Sequence, residues 1–240
     1  MSTKLYTFAV FCLSLFILLL VMSAYAVEVF KVSNYGGGHQ IWFEAEAYDE
    51  RNPDTDQYYK VADKDDAFGK TINRTGQSGG MISWTFDISA AKGKSGEWYF
   101  WGREINPSNQ SDYLLVKGDS GDKEIPKDPP FPGGDAVKPF DNGDDRIFEE
   151  NVGPPWNWGI TSHAEGHTKD IQDGENTMYI FHRQGDSSVF WDVFMWADDR
   201  SYVPTDQDYK DATEIKVGQA VNLVGKLATS WGTIKGANKL

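Results

Sequence analysis

The sequence contains almost no cysteine and has fewer basic than acidic residues. Its one cysteine, Cys12, lies in an apolar N-terminal stretch, so residues 27–240 cannot form disulfides and must depend on a packed core or a bound metal. Lys and Arg number 23 against 36 Asp and Glu, a formal net charge of −13. This balance argues against a nucleic-acid or anionic-membrane partner, because binding phosphate needs clustered Lys and Arg.

The N-terminus has the organisation of a secretory signal. Lys4 precedes an apolar run from Tyr6 to Met22, and Ala24-Tyr25-Ala26 has the small residues of a cleavage site. We therefore predict a signal peptide over residues 1–26 and a protein that is secreted, periplasmic or held at the cell surface. The apolar run is long for a signal, and the alternative is an uncleaved membrane anchor.

Residues 27–240 also lack a phosphate-binding glycine loop and a cysteine nucleophile. His163 and His167 flank Glu165, which is not the His-Glu-x-x-His order of zinc peptidases. Carboxylates are so frequent that the presence of two of them decides nothing about glycoside hydrolysis. We predict a protein without catalytic activity.

Short strands punctuated by turn residues dominate the chain before residue 200. Met81 to Ile88 alternates apolar and polar residues after the turn signal Gly79-Gly80. Short strands at this spacing predict an all-β fold, a β-sandwich. Further strand-like runs are residues 97–103, 113–117, 176–182 and 189–196. Gly118 to Pro155 is rich in Asp, Pro and Gly, and is predicted to be a long inserted loop.

A pair of carboxylates lies in the strand-like run Ile41 to Ala47. Alternation along a strand places Glu44 and Glu46 on one face. Two like charges on a half-buried strand repel each other, and a hard cation such as Ca²⁺ between them would relieve this because it takes carboxylate oxygens as ligands. The alternative is a solvated polar strand edge.

Aromatic residues are abundant, with nine Trp, eleven Tyr and fourteen Phe. Some must form the core. A surplus in an acidic exported protein favours sugar binding, because the apolar C–H faces of a pyranose ring stack on aromatic faces.

Several segments in one order resemble carbohydrate-binding modules of the family 6 and family 35 type, which are galactose-binding-like β-sandwiches of jelly-roll form. The resemblance spans about residues 41–197. The segments that carry it are Phe43-Glu44-Ala45-Glu46, Gly79 to Trp84, Trp98 to Arg103 with Pro107 and Ser111-Asp112-Tyr113, Trp156-Asn157-Trp158, Asp173 to Ile180 with Arg183-Gln184-Gly185, and Trp191-Asp192-Val193. The sequence departs from the family 6 pattern at Phe190, where an asparagine is usual.

The resemblance implies two sites. A structural Ca²⁺ would be held by Glu44 and Glu46 on the first strand and Asp192 on the last. A polysaccharide or glycan would stack on Trp156 or Trp158, with hydrogen bonds from Arg103, Asp112 or Arg183. The alternatives for individual residues are a core position for one of the two Trp residues and a structural ion pair between Arg103 and Asp112.

The predicted organisation has three parts: the signal peptide, a carbohydrate-binding-like sandwich over 27–198, and a linker and C-terminal tail over 199–240. Thr205 to Tyr209 has the composition of a linker. For the lysine-containing tail the alternatives are an amphipathic helix, an edge strand, a sorting or anchoring tag that meets a protein partner, and a loosely ordered terminus. The predicted function is a secreted, calcium-stabilised carbohydrate-binding module; the alternative is an adhesion or surface-assembly module that binds a protein.

Overall fold

A computed structural model describes residues 29–76, 78–117, 124–128, 131, 139–140, 144–160 and 167–216. These residues form fourteen strands, one short α-helix and two 3₁₀ turns, which confirms the predicted all-β class. The strands are β1 (Val29–Ser33), β2 (Gln40–Glu44), β3 (Glu50–Asn52), β4 (Tyr59–Ala62), β5 (Thr71–Arg74), β6 (Met81–Asp87), β7 (Gly96–Asn106), β8 (Asp112–Val116), β9 (Arg146–Ile147), β10 (Val152–Ile160), β11 (Thr168–Ile171), β12 (Glu175–Phe181), β13 (Phe190–Ala197) and β14 (Thr213–Lys216). The helix is α1 (Asp206–Asp211), and the 3₁₀ turns are Tyr35–Gly37 and Ile88–Ala91.

Two antiparallel sheets form the predicted sandwich. In sheet A the order is β10-β7-β13-β2-β1-β14, with β11 also on β7 and the β4–β5 hairpin on β13. In sheet B the order is β3-β6-β12-β8-β9. The first strand of the resemblance, β2, therefore lies beside the last, β13, with Val193 opposite Glu44.

The main core lies between the sheets, and the alternation seen in the sequence builds it. Ile41 and Phe43 of β2 and Phe194 and Trp196 of β13 point inward and are fully or almost fully buried. Trp84 of sheet B meets Phe194 edge-on at 5.0 Å between ring centroids. Aromatic rings dominate this core, which explains how the domain is stabilised without a disulfide.

The predicted inserted loop is shorter than 118–155 and is partly packed. Residues 146–147 and 152–155 belong to β9 and β10, so the sandwich resumes before Pro155. Phe131 and Phe140 are buried on the outer face of sheet B. Phe140 stacks on Tyr113 with 4.5 Å between ring centroids and an interplanar angle of 7°. These aromatic side chains attach the insertion to sheet B.

The beginning of the predicted tail also belongs to the folded unit. The linker interpretation of Thr205 to Tyr209 is wrong, because α1 starts there and buries Tyr209 on the outer face of sheet A. Strand β14 then pairs with β1, with Lys31 opposite Glu214. The predicted boundary at residue 198 thus does not separate residues 205–216 from the sandwich.

The signal peptide predicted over residues 1–26 and the rest of the tail, residues 217–240, lie outside the described residues. Among the helices that are described, none is long and apolar enough to cross a membrane.

Candidate functional site: a carboxylate pair beside a tryptophan ridge

The predicted carboxylate pair is brought together at the end of β2, but the prediction that both residues lie on one strand is wrong: Glu44 is the last residue of β2 and Glu46 lies in the turn that follows, in which the Ala47 N–H donates to the Glu44 carbonyl. Glu44 accepts a hydrogen bond at Oε1 from the hydroxyl of Tyr209, at 2.8 Å. Glu46 accepts one at Oε1 from the backbone N–H of Lys70, at 2.6 Å. A Cβ on Gly69 would lie 1.9 Å from Oε2 of Glu44 and 2.6 Å from Oε1 of Glu46. The two carboxylates thus converge on a backbone position where only glycine fits.

The environment of the pair penalises a second negative charge. Burial, and next the hydrogen bond with Glu44, raise the pKa of Glu46 from its ordinary value of 4.5 to about 8. Oε2 of Glu46 is buried and has no hydrogen-bond partner. One oxygen of each carboxylate is therefore held by a protein donor, while the pair retains acceptor capacity for a shared proton or a cation. Hard cations such as Ca²⁺ favour such oxygen ligands.

Asp192, the predicted third metal ligand, sits where β13 changes partner. Residues before it pair with β5 and residues after it with β2, and the register against β7 shifts between Trp191 and Val193. This bulge explains why Trp191 points into the main core while Val193 points to the outer face. It also places the Asp192 carboxylate beside the turn that contains Phe68, whose N–H lies 3.2 Å from both of its oxygens.

A guanidinium already neutralises Asp192. The Arg103 side chain donates from Nη1 to Oδ2 of this fully buried carboxylate. Burial still raises the pKa of Asp192 above its ordinary value. Among the described residues no three His, Cys, Asp or Glu side chains are grouped as a preformed metal cluster. Two N–H donors, Nη1 of Arg103 and the shared backbone N–H of Phe68, make three contacts with the roughly four lone-pair positions of the carboxylate, so Asp192 keeps one position for a further partner.

Arg103 connects the buried carboxylate of Asp192 to the partly exposed carboxylate of Asp206. Its Nε and Nη2 donate to the two carboxylate oxygens of Asp206 at 2.8 and 2.9 Å, a bidentate ion pair. Its guanidinium carbon lies 4.3 Å from the ring centroid of Phe68 and 5.1 Å from that of Trp156. The alternative of an ion pair between Arg103 and Asp112 is wrong: each forms its ion pairs with other residues.

Trp156 and Trp158 stand on β10 and share the outer side of sheet A with Arg103, because Trp158 is directly opposite Arg103 in the register. Both indoles are partly exposed, and that of Trp158 also packs against the buried cluster on the outer face of sheet A. The indole N–H of Trp156 donates to the carbonyl of Asp65 at 2.8 Å. That of Trp158 donates to Asp206 at 3.0 Å. The two rings, which we term the tryptophan ridge, are thus held in fixed orientations.

Asp112 and Arg183 lie together elsewhere, at the junction of β8 and the end of β12. Asp112 is fully buried, pairs with Arg74 at 3.2 Å and accepts from the backbone N–H of Arg183 at 3.1 Å. Burial raises its pKa to about 6. The guanidinium of Arg183 lies 5.7 Å from the ring centroid of Tyr113. As sugar contacts both residues stay a prediction; the structure shows them in a buried structural network.

Three neighbours of the pair were not predicted from the sequence: Gly69, Lys70 and Tyr209. Lys70 contributes through its backbone N–H, which leaves no signal in residue type, and a single glycine such as Gly69 does not indicate which side chains surround it. Tyr209 had a partial signal, because Thr205 and Asp208 have the spacing of a helix-capping box and the structure forms it. That pattern predicts a helix start, although not where the helix docks.

The segment Gly76-Gln77-Ser78-Gly79-Gly80 has the Gly-x-Ser-x-Gly spacing of serine hydrolases. It connects β5 to β6, two strands, whereas that motif needs a strand-to-helix turn. The motif therefore carries no catalytic assignment.

The chain resembles solved carbohydrate-binding modules of the galactose-binding-like type. A family 35 module from Clostridium thermocellum has 12% identity over 65% of this chain and 96% of that chain, with a TM-score of 0.39. The C-terminal family 6 module of LamC, a marine laminarinase from Zobellia galactanivorans, has 11% identity over 66% and 99% of the two chains, with a TM-score of 0.38. A Podospora anserina β-(1,4)-mannanase that carries a family 35 module has 11% identity over 70% and 29%, with a TM-score of 0.41.

No protein-family model and no curated protein matches the chain. Identities and TM-scores this low carry no argument about this chain. The description of the fold therefore rests on its own sheet order and strand registers.

Proposed function

We propose that this protein is a non-catalytic carbohydrate-binding module that binds a polysaccharide or glycan on the tryptophan ridge. The carrying observation is that Trp156 and Trp158 are partly exposed, lie on one face and have their indole N–H groups satisfied by the protein. A ring fixed in this way loses little conformational freedom on binding. An exposed indole face offers the apolar contact that the C–H face of a pyranose needs.

The ordered motifs of the sequence support the same proposal. Trp156-Asn157-Trp158 occupies the position of the Trp-x-Trp strand in the resemblance, and the structure makes it an edge strand of sheet A. The guanidinium of Arg103 lies 5.1 Å from the ring centroid of Trp156, so the positive charge of Arg103 is next to the tryptophan ridge. Because residues 1–26 are predicted to be a secretory signal peptide, we propose that the module acts outside the cytoplasm, as a secreted protein, in the periplasm or at the cell surface.

We further propose that Ca²⁺ stabilises the module at the carboxylate pair, with Glu44, Glu46 and Asp192 as side-chain ligands. The residues fit a hard cation at the pair itself, where one buried oxygen of Glu46 has no hydrogen-bond partner and two acids lie side by side. Asp192 would use its remaining lone-pair position. When bound, the ion would supply the positive charge that the pair otherwise obtains from a proton.

A glycan array with the purified protein, followed by affinity measurements on single variants, tests the carbohydrate proposal. Trp156→Ala is expected to lower the affinity at least about tenfold, since roughly 1.4 kcal/mol of ring contact corresponds to that factor. Its stability cost should be small, about 1 kcal/mol, because the ring is partly exposed. Trp158→Ala should cost about 2 kcal/mol, because Trp158 also packs edge-on against Trp42 at 5.4 Å.

Tyr48→Ala is the matched control. Tyr48 is a partly buried aromatic residue with a guanidinium 5.7 Å from its ring centroid, but it precedes β3 of sheet B and does not belong to the ridge. Glycan affinity should be unchanged in this variant. If both Trp variants fold and bind glycan as the wild type does, the ridge is not the sugar site. Absence of any glycan binding, together with a protein ligand, would favour the adhesion alternative.

A further inference from the structure

Helix α1 contacts two side chains at the proposed cation site, Glu44 and Arg103, although they lie 165 and 103 residues away in the sequence. Tyr209 donates from its hydroxyl to Oε1 of Glu44 at 2.8 Å. Three residues earlier, Asp206 binds the same guanidinium of Arg103 that donates to Asp192. A single short helix therefore reaches one carboxylate directly and another through one intermediate side chain.

The helix is itself fixed to the sandwich. Thr205 Oγ1 accepts from the backbone N–H of Asp208 at 3.2 Å, and the carboxylate of Asp208 accepts from the backbone N–H of Thr205 at 3.0 Å. On sheet A, Lys31 donates from Nζ to the carbonyl of Tyr209 at 3.0 Å and lies 4.0 Å from its ring centroid. The Tyr209 ring packs on Phe68 at 4.8 Å. Tyr209 is almost completely buried, so its hydroxyl has a defined position.

We propose that α1 positions the ligands of the cation site, with Tyr209 as the positioning residue for Glu44; this rests on the proposed Ca²⁺ site. By occupying Oε1, the Tyr209 hydroxyl fixes the rotation of the carboxylate and leaves Oε2 for the ion. Asp206 shares the positive charge of Arg103, which would otherwise act on Asp192 alone and compete with Ca²⁺ there. Changing a residue that orients a metal ligand through a hydrogen bond typically lowers metal affinity by about 10- to 100-fold.

Calorimetric titration of the metal-free protein with Ca²⁺ tests the proposal. Tyr209→Phe removes one hydroxyl and keeps the packed ring, and should weaken Ca²⁺ binding about 10- to 100-fold. Tyr35→Phe is the matched control, since its hydroxyl also bonds to α1, at the carbonyl of Asp208 (3.3 Å), but does not touch the carboxylates. Its Ca²⁺ affinity should stay within about twofold of wild type.

A second measurement uses only the wild type, so its result does not depend on whether a variant folds. Coupling is reciprocal, so if α1 favours Ca²⁺ binding, Ca²⁺ must stabilise α1. Hydrogen exchange at the amides of Tyr209 and Ala212, which donate to Thr205 and Asp208 within the helix, should slow in Ca²⁺ relative to chelator more than exchange in β12 does.

The outcomes are distinct. Ca²⁺ binding that Tyr209→Phe weakens and Tyr35→Phe does not, with protection of α1, is the expected result. Normal Ca²⁺ affinity in folded Tyr209→Phe, or unchanged exchange in α1 on Ca²⁺ binding, overturns the positioning role and leaves the cation site intact. No Ca²⁺ binding by the wild type overturns both.

Discussion

The carboxylate pair makes the stability of the metal-free protein depend on pH through Glu46. Burial and the neighbouring Glu44 raise the pKa of Glu46 to about 8 in the folded state, against about 4.5 when the chain is unfolded. Between these values the folded protein binds a proton that the unfolded chain does not. The contribution of this group to stability is therefore fully present below about pH 4.5 and is lost as the pH rises through about 8.

The size of this loss follows from the pKa difference. At about 1.4 kcal/mol per pKa unit, the difference between 4.5 and about 8 corresponds to roughly 5 kcal/mol for a fully desolvated group. Glu46 is partly exposed, and solvent screening reduces this figure. We expect a loss of about 2–3 kcal/mol between pH 5 and pH 8.

Urea unfolding in chelator at several pH values measures the effect, with Glu46→Gln as the comparison. The amide keeps the shape of the protonated acid and does not ionise, so the variant should lack this part of the pH dependence. Burial also raises the pKa values of Glu104 and Asp112, but both proteins share those groups. The decisive quantity is therefore the difference between the two curves. Parallel curves would mean that Glu46 is already ionised in the folded metal-free protein, which would refute the reasoning.

Two further changes test the packing around the site and the insertion. Arg103→Ala should destabilise the protein by about 3–5 kcal/mol in urea unfolding, because it leaves the buried Asp192 without its counter-charge. The control is Arg51→Ala, which should cost about 1 kcal/mol or less because the carboxylate partners of Arg51 are exposed. Equal losses in the two variants would contradict this reasoning. Phe140→Ala should cost about 3–5 kcal/mol by the same measurement, since the ring is buried between Tyr113 and Phe181. A loss below about 1 kcal/mol would show that the insertion contributes little to the fold.

The central strands were predictable from the sequence because their alternation reports burial. The pattern at Met81 to Ile88 became β6 (Met81–Asp87), and the run at 189–196 became β13 (Phe190–Ala197). In β6, and in β13 after its bulge, large apolar residues at every second position face the core, and this period distinguishes a strand from a helix. The outward direction of Glu44 on β2 was predictable for the same reason, since alternation points it away from the buried Phe43; Glu46 lies beyond the end of the strand, in a turn, where alternation does not apply.

The periphery was not predictable in this way. Strands β1 and β14 pair with each other although more than 180 residues separate Val29 from Lys216, and β14 is mostly exposed, so it shows no apolar period. Arg103 illustrates the limit for the site. Its partners Asp192 and Asp206 are 89 and 103 residues away in sequence, and the chain offers many carboxylates as candidates. Only the register of β7 against β13 and the docking of α1 select these two.

Arg103 belongs to both proposed sites, and this determines which variants can separate them. Its guanidinium donates to Asp192 at the cation site and lies 5.1 Å from the ring centroid of Trp156 in the tryptophan ridge. A change at Arg103 therefore alters both the metal ligand and the support of the sugar platform, and loss of either activity would have two explanations. The hydroxyl of Tyr209 donates to Glu44. The indole N–H of Trp156 donates to the carbonyl of Asp65. Because neither residue bonds directly to the side chains of the other site, Tyr209→Phe and Trp156→Ala together can assign a loss of Ca²⁺ binding or of glycan binding to its own cause.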